Sequence, residues 1–199
     1  MARRKPTEPR RHPRQARARV TVESIVTAAE RVVAREGTQR ATTNRIAAVA
    51  GVSIGSLYQY FPNKDVLIET IRTREEEAFD ALLLARFDAL AALPLRDAVH
   101  GFVDLLISHH RETLVLHNAL AADNDLFHVG LERRWLPILV QYLTARGDIR
   151  PANVDLAARI ALGVVEALTH DAALRAPELL DDHEYSDELT ELLFRYLTK

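Results

Sequence analysis

Few side chains in this 199-residue chain could do covalent or acid–base chemistry: it has eight histidines, 28 carboxylate residues and no cysteine. Glu166 and His170, at i and i+4, fall on one helix face and could act as a general-base pair, but the same spacing makes an ordinary surface ion pair. His109 and His110 are adjacent, so on a helix they point to different faces, and no His-Glu-x-x-His spacing accompanies them. Structural histidines are therefore expected, with no metal site and no cofactor. The missing cysteines remove disulfides, thiolate metal sites, iron–sulfur clusters and a thiol nucleophile. A nucleophile motif and a phosphate-binding loop are also missing, which leaves little on which to build a helical enzyme.

Charge says more than titratable chemistry does. The formal charge of −2 divides at Tyr60: residues 1–60 hold 12 Lys and Arg against 4 Asp and Glu, or +8, and residues 61–199 hold 14 against 24, or −10. Basic side chains beside a polyanion release counterions and gain affinity, whereas an acidic body is repelled from it. The 48% hydrophobic content is enough for a buried core. No apolar run approaches the roughly 20 residues that span a bilayer. The basic N-terminus is not followed by the apolar region of a signal peptide, so a cytoplasmic protein with no membrane partner is expected.

Helices must position these groups, because Ala, Leu and Val supply most of the apolar content and no alternating strand appears. Residues 1–19 carry eight basic side chains and three prolines with almost no aliphatic ones, which predicts a disordered basic arm. The arm is either a solvated tail or a contact to a minor groove or phosphates. Ile25, Ala28, Ala29, Val32 and Val33 then mark the apolar stripe of a first helix that stops at Gly37. Thr42 and Thr43 can cap a short second helix that ends at Gly51, and Ser53 can cap a third through Tyr60, closed by Phe61-Pro62-Asn63. Asn63 starts a long helix with apolar Val66, Leu67, Ile71, Ala78, Leu82 and Ala85. Further helices are expected over 95–121, bending near His109-His110, over 126–146, over 153–175, and at the C-terminus with Leu189, Leu192, Leu193, Tyr196 and Leu197 on one face.

The Ala50-Gly51-Val52-Ser53 junction makes residues 43–60 a helix-turn-helix. The run Ala47-Ala48-Val49-Ala50-Gly51-Val52-Ser53-Ile54-Gly55-Ser56-Leu57-Tyr58-Gln59-Tyr60-Phe61-Pro62-Asn63-Lys64-Asp65-Val66-Leu67 resembles the signature of the tetracycline-repressor (TetR/AcrR) family of bacterial transcriptional regulators. The resemblance covers about residues 21–68. It implies an all-α fold, with an N-terminal three-helix DNA-binding domain over 20–66 and a helical effector-binding and dimerisation domain over 67–199. It implies that Thr42 and Thr43 bind phosphate at the start of the second helix, where free amides and a hydroxyl suit an anion. Asn44 can reach a base edge, and Ser53, Ile54, Gly55 and Ser56 form the first turn of a recognition helix. Ile54 departs from the common Lys or Arg, so a thymine-methyl contact would replace a charged one. Tyr58, Tyr60 and Lys64 match backbone clamps, with Tyr60 where His is commoner, and Gln59 could reach a base or a phosphate. Arg45 replaces the usual acidic residue, losing a capping partner and adding positive charge. On spacing alone Tyr58 and Tyr60 serve equally well as core aromatics.

For the acidic body the resemblance implies a homodimer on a palindromic operator and a small-molecule effector, together a ligand-responsive repressor. Phe102, Leu106, His109, His110, His117, Phe127, Trp135, Leu139 and Tyr142 are the pocket candidates. Arg159, Gly163, Glu166 and His170, with Leu193 and Tyr196, are the dimer candidates, although the first four would equally suit a solvated face. A helical adaptor using the basic head for other contacts is the competing class.

Overall fold

The computed structural model describes residues 12–121 and 129–198. Among these it is all-helical, with α1 His12–Arg40, α2 Thr43–Ala50, α3 Ile54–Tyr60, α4 Lys64–Ala91, α5 Leu95–Ala121, α6 Val129–Thr144, α7 Val154–Arg175 and α8 His183–Leu197. A 3-10 turn over Pro177–Asp181 joins α7 to α8. The chain divides into two compact units, residues 1–71 and 72–199, so the division falls inside α4. The boundary lies beyond the expected 66, because the buried Leu67, Ile68 and Ile71 belong to the first unit.

In the first unit, α1 supplies the apolar stripe: Ile25, Val26, Ala28, Ala29, Val32 and Val33 are all buried. Gly37 interrupts the helical run with φ 77° and ψ 161°, a region that costs a residue with a Cβ dearly. The helix begins at His12, so residues 12–19 are helical and only residues 1–11 of the expected disordered arm lie outside the described residues. Pro13 sits in the first turn, where its missing N–H costs nothing, and Arg, Gln and Ala are good helix formers that extend a helix anchored further on.

In the second unit, a core runs from Leu83 on α4 through Leu95, Val103 and Ile107 on α5, Trp135 and Leu143 on α6, Ala157, Ala161 and Val165 on α7, to Leu189, Leu193 and Leu197 on α8. Two details differ from the sequence pattern on α4: Ala78 and Ala85 are exposed, and the inward residues are Phe79, Asp80, Leu83 and Phe87. The helix over Leu95–Ala121 runs as one continuous element through His109 and His110. On α8, Leu192 turns outward at 50% exposure while Leu189, Leu193 and Leu197 are buried.

Candidate nucleic-acid interface and ligand cavity

The helix-turn-helix is held by its own short side chains. Thr42, extended at φ −93° and ψ 150°, caps α2 by accepting the Arg45 N–H at 3.2 Å. Gly51 ends α2 in the left-handed region at φ 69°, and its neighbour closes the turn with Val52 N–H donating to the Ala47 carbonyl at 3.0 Å. Ser53 caps α3 by accepting the Ser56 N–H at 3.0 Å, and its hydroxyl lies 2.8 Å from that of Ser56. Asn63 Oδ1 accepts the Val66 N–H at 2.9 Å to start α4. Ile46, Ala47, Leu57 and Phe61 are buried beneath these caps.

This frame leaves one outward face on α3. Ser53, Ile54, Gly55, Tyr58, Gln59 and Tyr60 are exposed, and Ser56 is half-buried. Among them Ile54, Tyr58 and Tyr60 are large and apolar, at 38%, 50% and 37% exposure, so the two tyrosines are not core aromatics. Thr42, Asn44 and Arg45 are exposed at the start of α2 and Thr43 is half-buried. The Thr43 hydroxyl lies 3.1 Å from the Tyr58 hydroxyl, which brings the start of α2 and the middle of α3 to one point. Gly55 has open space where a Cβ would stand, with only Ser53 Oγ within 3.9 Å.

Two of the expected contact residues have partners that the sequence did not announce. Arg45 Nε donates to Glu36 Oε1 of α1 at 3.0 Å, so its charge is shared with a carboxylate. Half-buried Lys64 donates from Nζ to the Thr38 carbonyl at 3.1 Å, bracing α4 against the end of α1. Both partners lie on α1, 9 and 26 residues away.

The second unit holds an apolar cavity of ≈ 110 Å³ that is partly open to solvent. Of the pocket candidates, Phe102, Leu106, Trp135, Leu139 and Tyr142 line it. Phe87 of α4 lines it too, with ring centroids 5.8 Å from Phe102 and 6.1 Å from both Trp135 and Tyr142. Leu83, Val99, Val103, Ala161, Val165 and Leu197 complete much of the wall. Sequence reasoning missed these because a lining aliphatic reads as an ordinary core residue. Phe127 lies outside the described residues.

The histidine candidates stand apart from the lining. His109 stacks on Phe79 with centroids 4.2 Å apart, and burial lowers its pKa, opposed in part by the Glu112 charge. His110 and His117 form a cluster with His170: His117 Nε2 lies 2.7 Å from His170 Nδ1, and the His110 and His117 rings are 4.8 Å apart. Among the described residues no group of three His, Asp or Glu is arranged to hold a metal ion.

Two polar groups at the cavity wall face partners. Trp135 Nε1 donates to Asp80 Oδ1 at 2.6 Å, and Arg134 donates to the other oxygen of that buried carboxylate. Arg146 donates to the Tyr142 hydroxyl at 2.9 Å and is itself chelated by Asp148 at 2.8 and 2.9 Å. That hydrogen-bonded pairing raises the Arg146 pKa and holds Asp148 below the usual carboxylate value.

The dimer candidates also separate. Arg159 and Gly163 are exposed on α7, Glu166 and Tyr196 are half-buried, and His170 turns to His117 of its own unit. Leu193 is a correction: it is 6% exposed and lines the cavity, since the period of α8 places it beside Leu189 and Leu197. Beside Gly163, which the sequence reading named, the second face of α7 is apolar: exposed Leu156, Ile160, Gly163, Ala167 and Leu174 recur at alternating intervals of four and three, with a gap of seven before Leu174. The buried face of the same helix is made of Ala157, Ala158, Ala161, Val165, Thr169, Ala172 and Ala173.

Comparison with known proteins places both units. Residues 25–71 match the model described as bacterial regulatory proteins, tetR family, and residues 94–197 match the tetracyclin repressor-like C-terminal domain. The nucleoid occlusion factor SlmA of Haemophilus ducreyi is 30% identical over 114 residues, covering 52% of this chain and 56% of that protein. The chain thus spans about half the length of the curated relatives it matches first. Among solved structures, a TetR-family transcriptional regulator of Haemophilus influenzae aligns at TM-score 0.66 and 24% identity, covering 93% of this chain and 100% of that one. The structure of RolR in complex with resorcinol aligns at TM-score 0.61 and 19% identity, covering 92% and 90%. At these identities the structural likeness speaks for the fold. No helix among the described residues is long and apolar enough to cross a membrane.

Proposed function

The chain belongs to the tetR family of bacterial regulatory proteins, and from that premise we propose that it is a ligand-responsive repressor that binds a palindromic operator as a homodimer. The family is one of DNA-binding transcriptional regulators, not of enzymes. One observation carries the reading: the capped helix-turn-helix buries Leu57 and Phe61 while presenting Ile54, Tyr58, Gln59 and Tyr60 outward. Three large exposed side chains gathered on one seven-residue helix, Ile54, Tyr58 and Tyr60, form a patch suited to a partner. Here the neighbouring donors are hydroxyls, amides and the N-terminal N–H groups of α2, the set that holds phosphates. In this reading Thr42, Thr43 and Tyr58 grip the backbone, while Ser53, Ile54, Gly55 and Ser56 approach the major groove. Arg45 and Lys64 steady the head through Glu36 and Thr38 more than they contribute free charge.

One recognition helix reads few base pairs, so two half-sites about one DNA turn apart are needed. The exposed Leu156, Ile160, Gly163 and Ala167 of α7, with Leu192 of α8, are the surface we assign to the partner subunit, in place of Leu193 and His170. The cavity is the effector site, and an effector that prefers one state of the protein shifts operator affinity by population, with operator weakening effector binding reciprocally.

Fragments of the source genome retained by the full-length chain supply the operator for the test. Tyr58→Ala should weaken retention of the selected fragment by more than about tenfold, since a hydrogen bond to a charged phosphate is worth about 1.5–3 kcal/mol. Ile160→Glu should convert the sedimenting species to monomer mass. Unchanged retention in Tyr58→Ala, or a wild-type chain at monomer mass at all concentrations, would sink the corresponding part of the reading.

A further inference from the structure

We propose that the effector is a compact uncharged hydrocarbon-like molecule about the size of one aromatic ring, a proposal that rests on the reading of the cavity as the effector site. The size follows from the volume. A dry cavity of about 150 Å³ lined by aliphatic and aromatic side chains takes up benzene, and this one measures ≈ 110 Å³.

The chemistry follows from the wall. Among the described residues the cavity surface is apolar throughout, although Trp135 and Tyr142 both contribute to it. Their polar ends are held elsewhere: the indole N–H by Asp80, and the Tyr142 hydroxyl by Arg146, whose other nitrogens are chelated by Asp148. The nearest charges are therefore engaged with each other. A carboxylate or ammonium seated against this wall would leave water with nothing among the described residues to pair with, which disfavours such a group. A ligand hydroxyl would lose its water partners and gain none, which weakens binding by about tenfold for each hydroxyl. A flat apolar ring meets the opposite situation. The rings of Phe87, Phe102, Trp135 and Tyr142 all line the cavity and can pack against it by edge or by face.

The test uses the full-length protein and three ring compounds of similar size: toluene, resorcinol and benzoate. Titration calorimetry, with Trp135 fluorescence as a second readout, should give saturable toluene binding with a negative heat-capacity change. Resorcinol should bind about a hundredfold more weakly, one factor of ten per hydroxyl, and benzoate not at all at the same concentrations. Toluene should also release operator DNA. Ala161→Phe, which fills the cavity, should abolish toluene binding. Val165→Thr, close in shape but with a hydroxyl in the wall, should narrow the ratio of toluene to resorcinol affinity, and it serves even where the larger substitution prevents folding.

Three outcomes overturn the proposal in distinguishable ways. Resorcinol or benzoate binding more tightly than toluene, and blocked by Ala161→Phe, refutes the ligand class and leaves the cavity as the effector site. Toluene binding that survives both substitutions unchanged refutes the cavity as the site, whereas no binding of any of the three refutes the ligand class. Toluene binding blocked by Ala161→Phe but without effect on operator retention refutes the effector role.

Discussion

The polar contacts that shape the recognition face and those that border the cavity differ in range. In the first unit, Thr42, Ser53 and Asn63 each bond a backbone N–H three residues ahead, so the frame of the recognition face is local. In the second, the consequential polar contacts span the fold: Asp80 meets Arg134 and Trp135 across 54 and 55 residues, and His117 meets His170 across 53. A surface that must present side chains needs a rigid local scaffold. A cavity instead needs neighbours from several helices that fail to fill the space between them, with the polar groups nearby bound to one another.

Truncating one leucine in each unit tests that contrast most strongly. Leu57 is fully buried under the helix-turn-helix, so Leu57→Ala should cost in the upper part of the range of about 2–5 kcal/mol and remove operator binding. Leu106, 6% exposed, faces the cavity and already lacks partner atoms on that side, so Leu106→Ala should fall in the lower part of the range. The chain's single tryptophan, Trp135, lies in the second unit and reads its unfolding separately. Its fluorescence midpoint should drop in Leu106→Ala and hold in Leu57→Ala. An equal drop in both would show that the units unfold as one.

The same contrast explains how much was legible in the sequence. The caps at Thr42, Ser53 and Asn63 and the turn at Gly51 depend on neighbours a few residues away, so residue type and spacing sufficed to find them. Glu36 and Thr38 were missed as partners of Arg45 and Lys64 because those bonds reach back to α1. The inward face of α4 was misread because Asp80 lies in it: a buried carboxylate breaks the apolar period, and the indole and guanidinium from α6 make its burial tolerable. Phe87 was lost with that face. On α7 the helix is apolar on two sides, and spacing alone cannot say which side meets the core.

Polar substitutions should give intermediate effects that follow the same ranking. Asp80→Ala leaves the Trp135 N–H and Arg134 without their acceptor, and the loss of a buried partner costs about 1–3 kcal/mol. Thr42→Ala removes an exposed cap worth about 1 kcal/mol. Thermal unfolding followed by Trp135 fluorescence and by circular dichroism should place the larger loss in the second unit. A larger loss from Thr42→Ala would reverse the argument that long-range polar pairs matter more there.

The smallest expected effect separates the units by pH. Seven of the eight histidines lie beyond residue 71, and burial against Phe79 holds His109 below its ordinary pKa of 6.5. The folded state keeps that imidazole neutral while the unfolded chain takes up a proton near 6.5, so the unfolded state binds more protons between the two values. The stability contributed by His109 is therefore complete above 6.5 and falls as pH drops from there through the lowered folded value, below which the loss is complete. His109→Phe retains a ring against Phe79 and removes the proton. The Trp135 fluorescence midpoint of this variant should fall less steeply on acidification than that of the wild type. Equal slopes would mean that His109 releases its proton at the same pH in both states, and that its burial does not make the second unit acid-sensitive.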